Sequence, residues 1–267
     1  MKKYFFSLIV ATLILALAGW ALAFDVGIST QAGWFSQTAA DAEMKVLSDA
    51  IKAKVGSVTL FPADKQADLA TWVKNNTGDK DNDILILCGQ FPKTIYTPGN
   101  TQKDDSLAEL FLDSGNTIIN TGDWMFYVVD GAGTNATGGL QTMMDIPGIT
   151  MDGEGNNQPM VVTKEGKSYT PSLKDMTTDR PLHLDKLIAP WKPLVILAQN
   201  AAGTRSDPCI VTNTTTKGAI GIFFQTAGQD TDPRGKVMSE FILSYFATTP
   251  VSPAGSSATT WGAIKGN

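Results

Sequence analysis

Asp83-Ile84-Leu85-Ile86-Leu87-Cys88-Gly89 is the stretch whose reading decides the fold. It is an unbroken apolar run opened by a carboxylate and closed by glycine. A strand with one wet face alternates polar and apolar residues, whereas a continuous run fits a parallel strand buried on both faces. A polar turn region, 75–82, precedes it, and before that Lys65–Lys74 reads as a short helix with Leu69, Trp72 and Val73 on one side. Further upstream, Phe24–Ser29 reads as a strand. Ala39–Ala53 carries Met44, Val46, Leu47, Ala50 and Ile51 at helical spacing, with Ser36 or Thr38 as its cap, and Ser57–Phe61 is a strand ended by Pro62. Downstream, Asp104–Asp113 is a helix with Leu107, Leu110, Phe111 and Leu112 as its apolar set. Ser114-Gly115-Asn116 turns the chain, and Thr117–Gly122 is the next strand. Strands alternating with helices predict an α/β fold: a mostly parallel sheet flanked by helices, with right-handed crossovers.

The middle of the chain differs. Residues 130–180 are rich in Gly, Thr, Asn and Asp and read as a long excursion from one domain. Within it, Gly138-Gly139 opens a short helix containing Leu140, Met143 and Met144. Met160–Thr163 and Lys167–Tyr169 are expected to pair as a hairpin across Glu165-Gly166. Regular structure returns at Pro193–Ala198. Cys209–Thr212 and Ala219–Phe224 follow as a late antiparallel hairpin turning at Thr215–Gly218. Asp232–Phe246 is the last helix, with Val237, Met238, Phe241, Ile242, Tyr245 and Phe246 as its buried stripe.

Composition sets the compartment and excludes whole classes. The chain has 267 residues, 43% hydrophobic and 18% charged, ample for a packed core and incompatible with global disorder. Its net charge of −5 argues against a nucleic-acid surface, which needs a basic stripe. One histidine excludes a multi-histidine metal site, and two cysteines exclude a disulfide scaffold or a four-cysteine zinc site. The first 23 residues read as a signal peptide: Lys2 and Lys3, an apolar run from Phe5 to Ala18, then Ala21-Leu22-Ala23 before Phe24. The run is too short to span a bilayer, which takes about 20 residues, and no later segment is apolar enough. Cleavage would take the charge from −5 to −7, so the expectation is a soluble, acidic, exported protein in the periplasm, at the cell surface or outside the cell. The domain is expected to occupy 24–248. Residues 249–267 read as a Pro/Ser-rich linker and a tail whose Trp261, Ala263 and Ile264 either fold back on the domain or are read by export or surface-attachment machinery. Deleting 249–267 is expected to leave the melting temperature nearly unchanged. A fall of more than about 8 °C, roughly 2 kcal/mol, would place Trp261 in the core.

Three stretches carry a family resemblance. Asp83–Gly89, Leu107–Thr121 (a helix, a glycine, a strand) and Val195–Ile222 with its Lys217-Gly218 turn resemble, in order and spacing, the class I glutamine amidotransferase-like superfamily, above all its trehalose-utilisation-type relatives. The resemblance implies a flavodoxin-like, amidotransferase-like sheet. It also implies a nucleophilic cysteine on a sharp turn after the fourth strand, with oxyanion-binding amides behind it. Here that turn is Gly122-Asp123-Trp124-Met125, which holds neither Cys nor Ser. The expectation is therefore a domain that has lost this chemistry.

Candidate site residues follow from chemistry and position. Asp123 is a carboxylate able to act as a nucleophile or to cap the helix that follows. Cys88 is a thiol that would need His183, the only imidazole, as base. Cys88 reads equally as a buried apolar-like residue or as a disulfide partner of Cys209. His183 lies in Arg180-Pro181-Leu182-His183, similar to a His-Pro element of the trehalose-utilisation-type relatives with the order reversed. In open α/β sheets ligands gather beyond the carboxyl ends of the strands. That rule gives Thr30, Gln31, Trp34, Gln90, Trp124, Gln199 and Gln225, amides and indoles suited to a small molecule or a glycan. Asp79–Asp83 lacks the glycine and glutamate of a calcium loop, and no glycine-rich phosphate loop is present, so neither metal nor nucleotide cofactor is expected. Two functions remain: an exported binding or assembly domain, or a hydrolase using a carboxylate or Cys88.

Overall fold

A computed structural model of the chain describes residues 24–99, 106–151, 153 and 155–247. The signal-peptide, linker and tail readings, and the start of the helix expected at Asp104, lie outside the described residues. Along the chain come β1 (Asp25–Ser29), α1 (Gln37–Ile51), β2 (Ser57–Phe61), α2 (Gln66–Asn75), β3 (Ile84–Leu87), α3 (Leu107–Asp113) and β4 (Thr117–Thr121). Next are α4 (Gly138–Met144), β5 (Gln158–Val162), α5 (Lys164–Tyr169), β6 (Met176–Thr178), β7 (Leu182–His183), β8 (Trp191–Ile196), β9 (Ala198–Gln199) and β10 (Arg205–Ser206). The series closes with β11 (Cys209–Asn213), β12 (Ala219–Phe223) and α6 (Arg234–Phe241), extended by one π turn, Ile242–Phe246.

The main sheet has seven strands in the order β2-β1-β3-β4-β12-β11-β8. The first five run parallel, and β11 pairs antiparallel with both β12 and β8. Both faces are covered, as the apolar run of β3 requires. Ile84 and Ile86 join the core beneath α1 and α6, while Leu85 and Leu87 join the core beneath α2 and α3. None of the four is accessible to solvent. The cysteines divide the same way, Cys88 on the first face and Cys209 on the second, both free. That removes the disulfide reading: a sheet lies between them.

Helix ends follow local chemistry. Ser36 Oγ accepts from the Ala39 amide at 3.1 Å and starts α1. Ser106 and Glu109 form a reciprocal capping box at α3, a signature legible as Ser-x-x-Glu in the sequence. On α1, Met44, Leu47 and Ile51 are buried as expected, but Val46 is 46% exposed and faces away from the sheet. Helices α1 and α6 cross at Gly235, where a Cβ would meet the Glu43 carbonyl oxygen at 2.0 Å. Gly235→Ala is expected to force the helices apart and cost about 3 kcal/mol, a fall of roughly 6–10 °C in thermal melts. An unchanged melting temperature would mean that the two helices separate freely.

The excursion is not a hairpin. Thr163 Oγ1 accepts from the Gly166 amide at 2.9 Å and caps α5, so 164–169 is helical and not the return strand expected there. Strand β5 pairs instead with β6, and both belong to a second sheet of order β6-β5-β9-β10-β7, antiparallel throughout. The expected strand 193–198 splits for the same reason. It ends in the main sheet at Ile196 and resumes as β9 in the second sheet, with the Leu197 and Ala198 amides both donating to the Pro208 carbonyl. No described helix is long and apolar enough to cross a membrane.

Candidate functional site

Three strand-end turns meet on glycines at the carboxyl edge of the main sheet. After β1 the chain turns at 30–35; after β3 it turns at Gly89 (φ +90°); after β4 it turns at Gly122 (φ +92°). A Cβ on Gly33 would lie 2.9 Å from the Gly89 backbone, one on Gly89 would lie 2.6 Å from the Gly122 carbonyl, and one on Gly122 would lie 2.3 Å from the Phe35 ring. Only glycine lets these backbones touch. Gln90 ties the turns together: its Nε2 donates to the Ala32 carbonyl at 3.3 Å, and its Oε1 accepts from the Gly131 amide at 3.1 Å. Trp34 is 47% exposed at the rim, its carbonyl held by the Gly228 amide. Gln31 stands beside it, half-buried.

The turn after β4 is strained. Asp123, Trp124 and Phe126 have φ of +62°, +28° and +64°, left-handed values that cost non-glycine residues about 1–3 kcal/mol each. Asp123 is buried. Its Oδ1 accepts from the Trp124 amide at 3.0 Å, and Asn120 Nδ2 reaches its carbonyl at 3.5 Å. Burial pushes its carboxyl up to about 6, opposed by Arg180 and the Trp124 amide, reinforced by Asp179 and opposed again by Arg234. The Trp124 ring lies 4.3 Å from that of Tyr127, and the Arg180 guanidinium stands 5.0 Å from the Trp124 centroid.

The second sheet is pinned over this edge. The Asp179 and Arg180 amides both donate to the Gln225 carbonyl, and Thr178 Oγ1 donates to the fully buried Asp207. Asp207 also accepts from the Gln225 amide at 2.7 Å, and burial pushes its carboxyl up to about 6. Beneath lies Arg234, with no exposed surface. Its Nη1 donates to Thr121 Oγ1 (2.9 Å) and the Phe224 carbonyl (2.6 Å), its Nη2 donates to Thr226 Oγ1 (2.8 Å) and Asp232 (3.0 Å), and its Cζ lies 4.4 Å from the Phe35 ring.

These placements sort the sequence candidates. Thr30, Gln31, Trp34, Gln90, Asp123 and Trp124 gather at one edge. Gln225 follows β12 there, but it is fully buried, its amide consumed by Asn120 and the Phe223 carbonyl. Gln199 departs from the expected place, since it pairs with Ser206 and Val161 inside the second sheet. Cys88 and His183 are not brought together. The Cys88 thiol is buried beneath Arg234 and pushed up to about 12, while His183 sits in β7 opposite Arg205. No group of three or more His, Cys, Asp or Glu among the described residues is arranged to hold a metal ion. Arg180, Asp207 and Arg234 were missed. Arg234 had a signal, for it opens the buried stripe shared with Val237, Met238 and Phe241 at helical spacing.

No family model matches this sequence, and no curated protein matches it. Among solved structures, a ThuA-like protein from Bacteroides uniformis is similar at a TM-score of 0.44 and 10% identity, over 85% of this chain and 91% of that one.

Proposed function

We propose that the domain binds a small polyhydroxylated ligand, a sugar or a glycan end, at the carboxyl edge of the main sheet, and that it does so as an exported protein without thiol chemistry. The observation that carries the reading is the cluster Asp123–Trp124–Arg180. Trp124 Nε1 and Arg180 Nε are both buried there without a hydrogen-bond partner, beside a buried carboxyl. Buried donors are normally satisfied, and a ligand oxygen is a natural partner for such orphans. The exposed Trp34 indole at the same rim offers a flat apolar face for a sugar ring. A thiol pushed up to about 12 stays protonated at neutral pH and is a poor nucleophile.

A second reading rests on a different feature. Asp123 occupies a strained turn directly after a parallel strand, the position from which strand-end nucleophiles act, and its carboxyl titrates at about 6. A hydrolase using this carboxylate is the alternative.

Calorimetry against a panel of mono- and oligosaccharides separates the two. Binding is expected with the unaltered protein, with at least a tenfold loss in Trp34→Ala and in Trp124→Ala. Turnover of a bound glycoside that disappears in Asp123→Asn would favour the hydrolase. Binding unaffected by either tryptophan would remove the reading.

A further inference from the structure

We infer that the ligand of this edge carries a carboxylate, seated on the Nε/Nη2 side of Arg180 and against the indole N–H of Trp124; the inference rests on the reading of this edge as a ligand site. Arg180 is unusual among the arginines of the domain. Arg205 pairs with Asp185 at 2.6 Å and Arg234 pairs with Asp232 at 3.0 Å, each on a carboxylate. The contacts of Arg180 are to neutral oxygens, Asn156 Oδ1 at 2.8 Å and the Asp179 carbonyl at 2.7 Å, and both are made by Nη1. The opposite side of the fork is left over: Nε is buried with no partner, and the bonds of Arg180 to described residues both leave from Nη1. That side presents two parallel N–H groups, the geometry that matches the two oxygens of a carboxylate. Stacking holds the fork in place, since the guanidinium stands 5.0 Å from the Trp124 centroid. The second orphan, Trp124 Nε1, is also a donor. Two unpartnered donors on a stacked pair of side chains call for an acceptor, and an anionic acceptor makes the stronger bonds.

The surrounding charges narrow the class. Asp179 is committed, its oxygens accepting from the Asn157 and Ala227 amides. Asp123 faces the same guanidinium. A dianion such as a phosphate would feel twice the repulsion from these carboxylates that a singly charged carboxylate feels. With the sugar face offered by Trp34, the fitting class is a sugar acid such as a uronate.

The test compares D-glucuronate with D-glucose, equal in size and differing at the acid group. Calorimetry with the unaltered protein is expected to give at least tenfold tighter binding of glucuronate. Arg180→Gln is expected to abolish that preference, and Arg180→Lys, which keeps the charge but loses the fork, to restore only part of it. Melting temperatures within about 2 °C of the unaltered protein would show that the variants fold. Equal binding of both sugars, or a preference that survives Arg180→Gln, would overturn the carboxylate while leaving the ligand site standing. Heat with neither sugar would overturn both.

Discussion

Arg234→Met is expected to lower the stability of the domain by about 4 kcal/mol, a loss of roughly 8–16 °C in melting temperature. Methionine fills much of the volume but supplies no donor. The buried Thr121 hydroxyl would lose the guanidinium, the Phe224 carbonyl would keep only the Gly122 amide, and Thr226 and the part-exposed Asp232 would keep only each other. Removing the charged centre of a buried network leaves its other members under-satisfied, which is why the cost exceeds that of a surface pair. Lysine is expected to rescue little, because one ammonium cannot reach partners spread over the ends of β4 and β12. Denaturant unfolding checks this directly. A methionine variant within 1 kcal/mol of the unaltered protein would mean that the three turns hold together without Arg234.

Asp83→Asn is expected to act in the opposite direction, and only at neutral to alkaline pH. Asp83 is 1% exposed at the amino edge of the main sheet. Its Oδ1 accepts from the Asp25 amide at 2.6 Å, while Oδ2 is buried without a partner. Burial raises its carboxyl to about 7; the Asp25 amide pulls it back, and Asp79, Asp25 and Asp81 push it further up. The folded state therefore holds this proton more tightly than the unfolded chain, whose ordinary value is 3.8. Stability from the group is complete below pH about 4 and is lost as the pH rises through about 7. Asparagine keeps the acceptor and never ionises. At pH 8 it is expected to add about 2–4 kcal/mol, from a shift of some three units at 1.36 kcal/mol each, reduced for residual solvation. At pH 3 it should change stability by less than about 0.5 kcal/mol, since Asp83 is then largely protonated in both states. An equal effect at both pH values would show that the substitution acts through packing. Asp123 and Asp207, both raised to about 6, add to the same trend, so the unaltered protein should melt higher at pH 5 than at pH 8.

Much of the main sheet was legible because its inner strands are buried on both faces and show as continuous apolar runs between helical periods. Asp83–Gly89 placed β3, and the alternation around it placed β1, β2, β4 and the intervening helices. Thr215–Gly218 placed the β11–β12 turn, closed by the Lys217 amide on the Asn213 carbonyl. Of the second sheet only β5 was legible, as the strand read at Met160–Thr163. Strands β7, β9 and β10 have two residues each, too short for any period. The choice between hairpin and helix at 163–169 turned on a single hydroxyl, Thr163 Oγ1, closing a cap. At the site, the rule that ligands gather at strand ends found Trp34, Asp123 and Trp124, since these follow directly from strand positions. It could not find Arg180, which reaches this edge only through the docking of β6 on the Gln225 carbonyl, a contact separated by some 45 residues of chain.

The central claim is that the buried donors beside Asp123 await a ligand oxygen, and Trp124 reports on it alone. In a nitrogen–proton correlation spectrum of uniformly labelled protein, each tryptophan gives one indole N–H signal, and the one missing from Trp124→Phe belongs to Trp124. On titration with D-glucuronate that signal is expected to move downfield and to saturate at the dissociation constant found by calorimetry. A Trp124 signal that stays fixed while the sugar binds elsewhere on the protein would contradict the account.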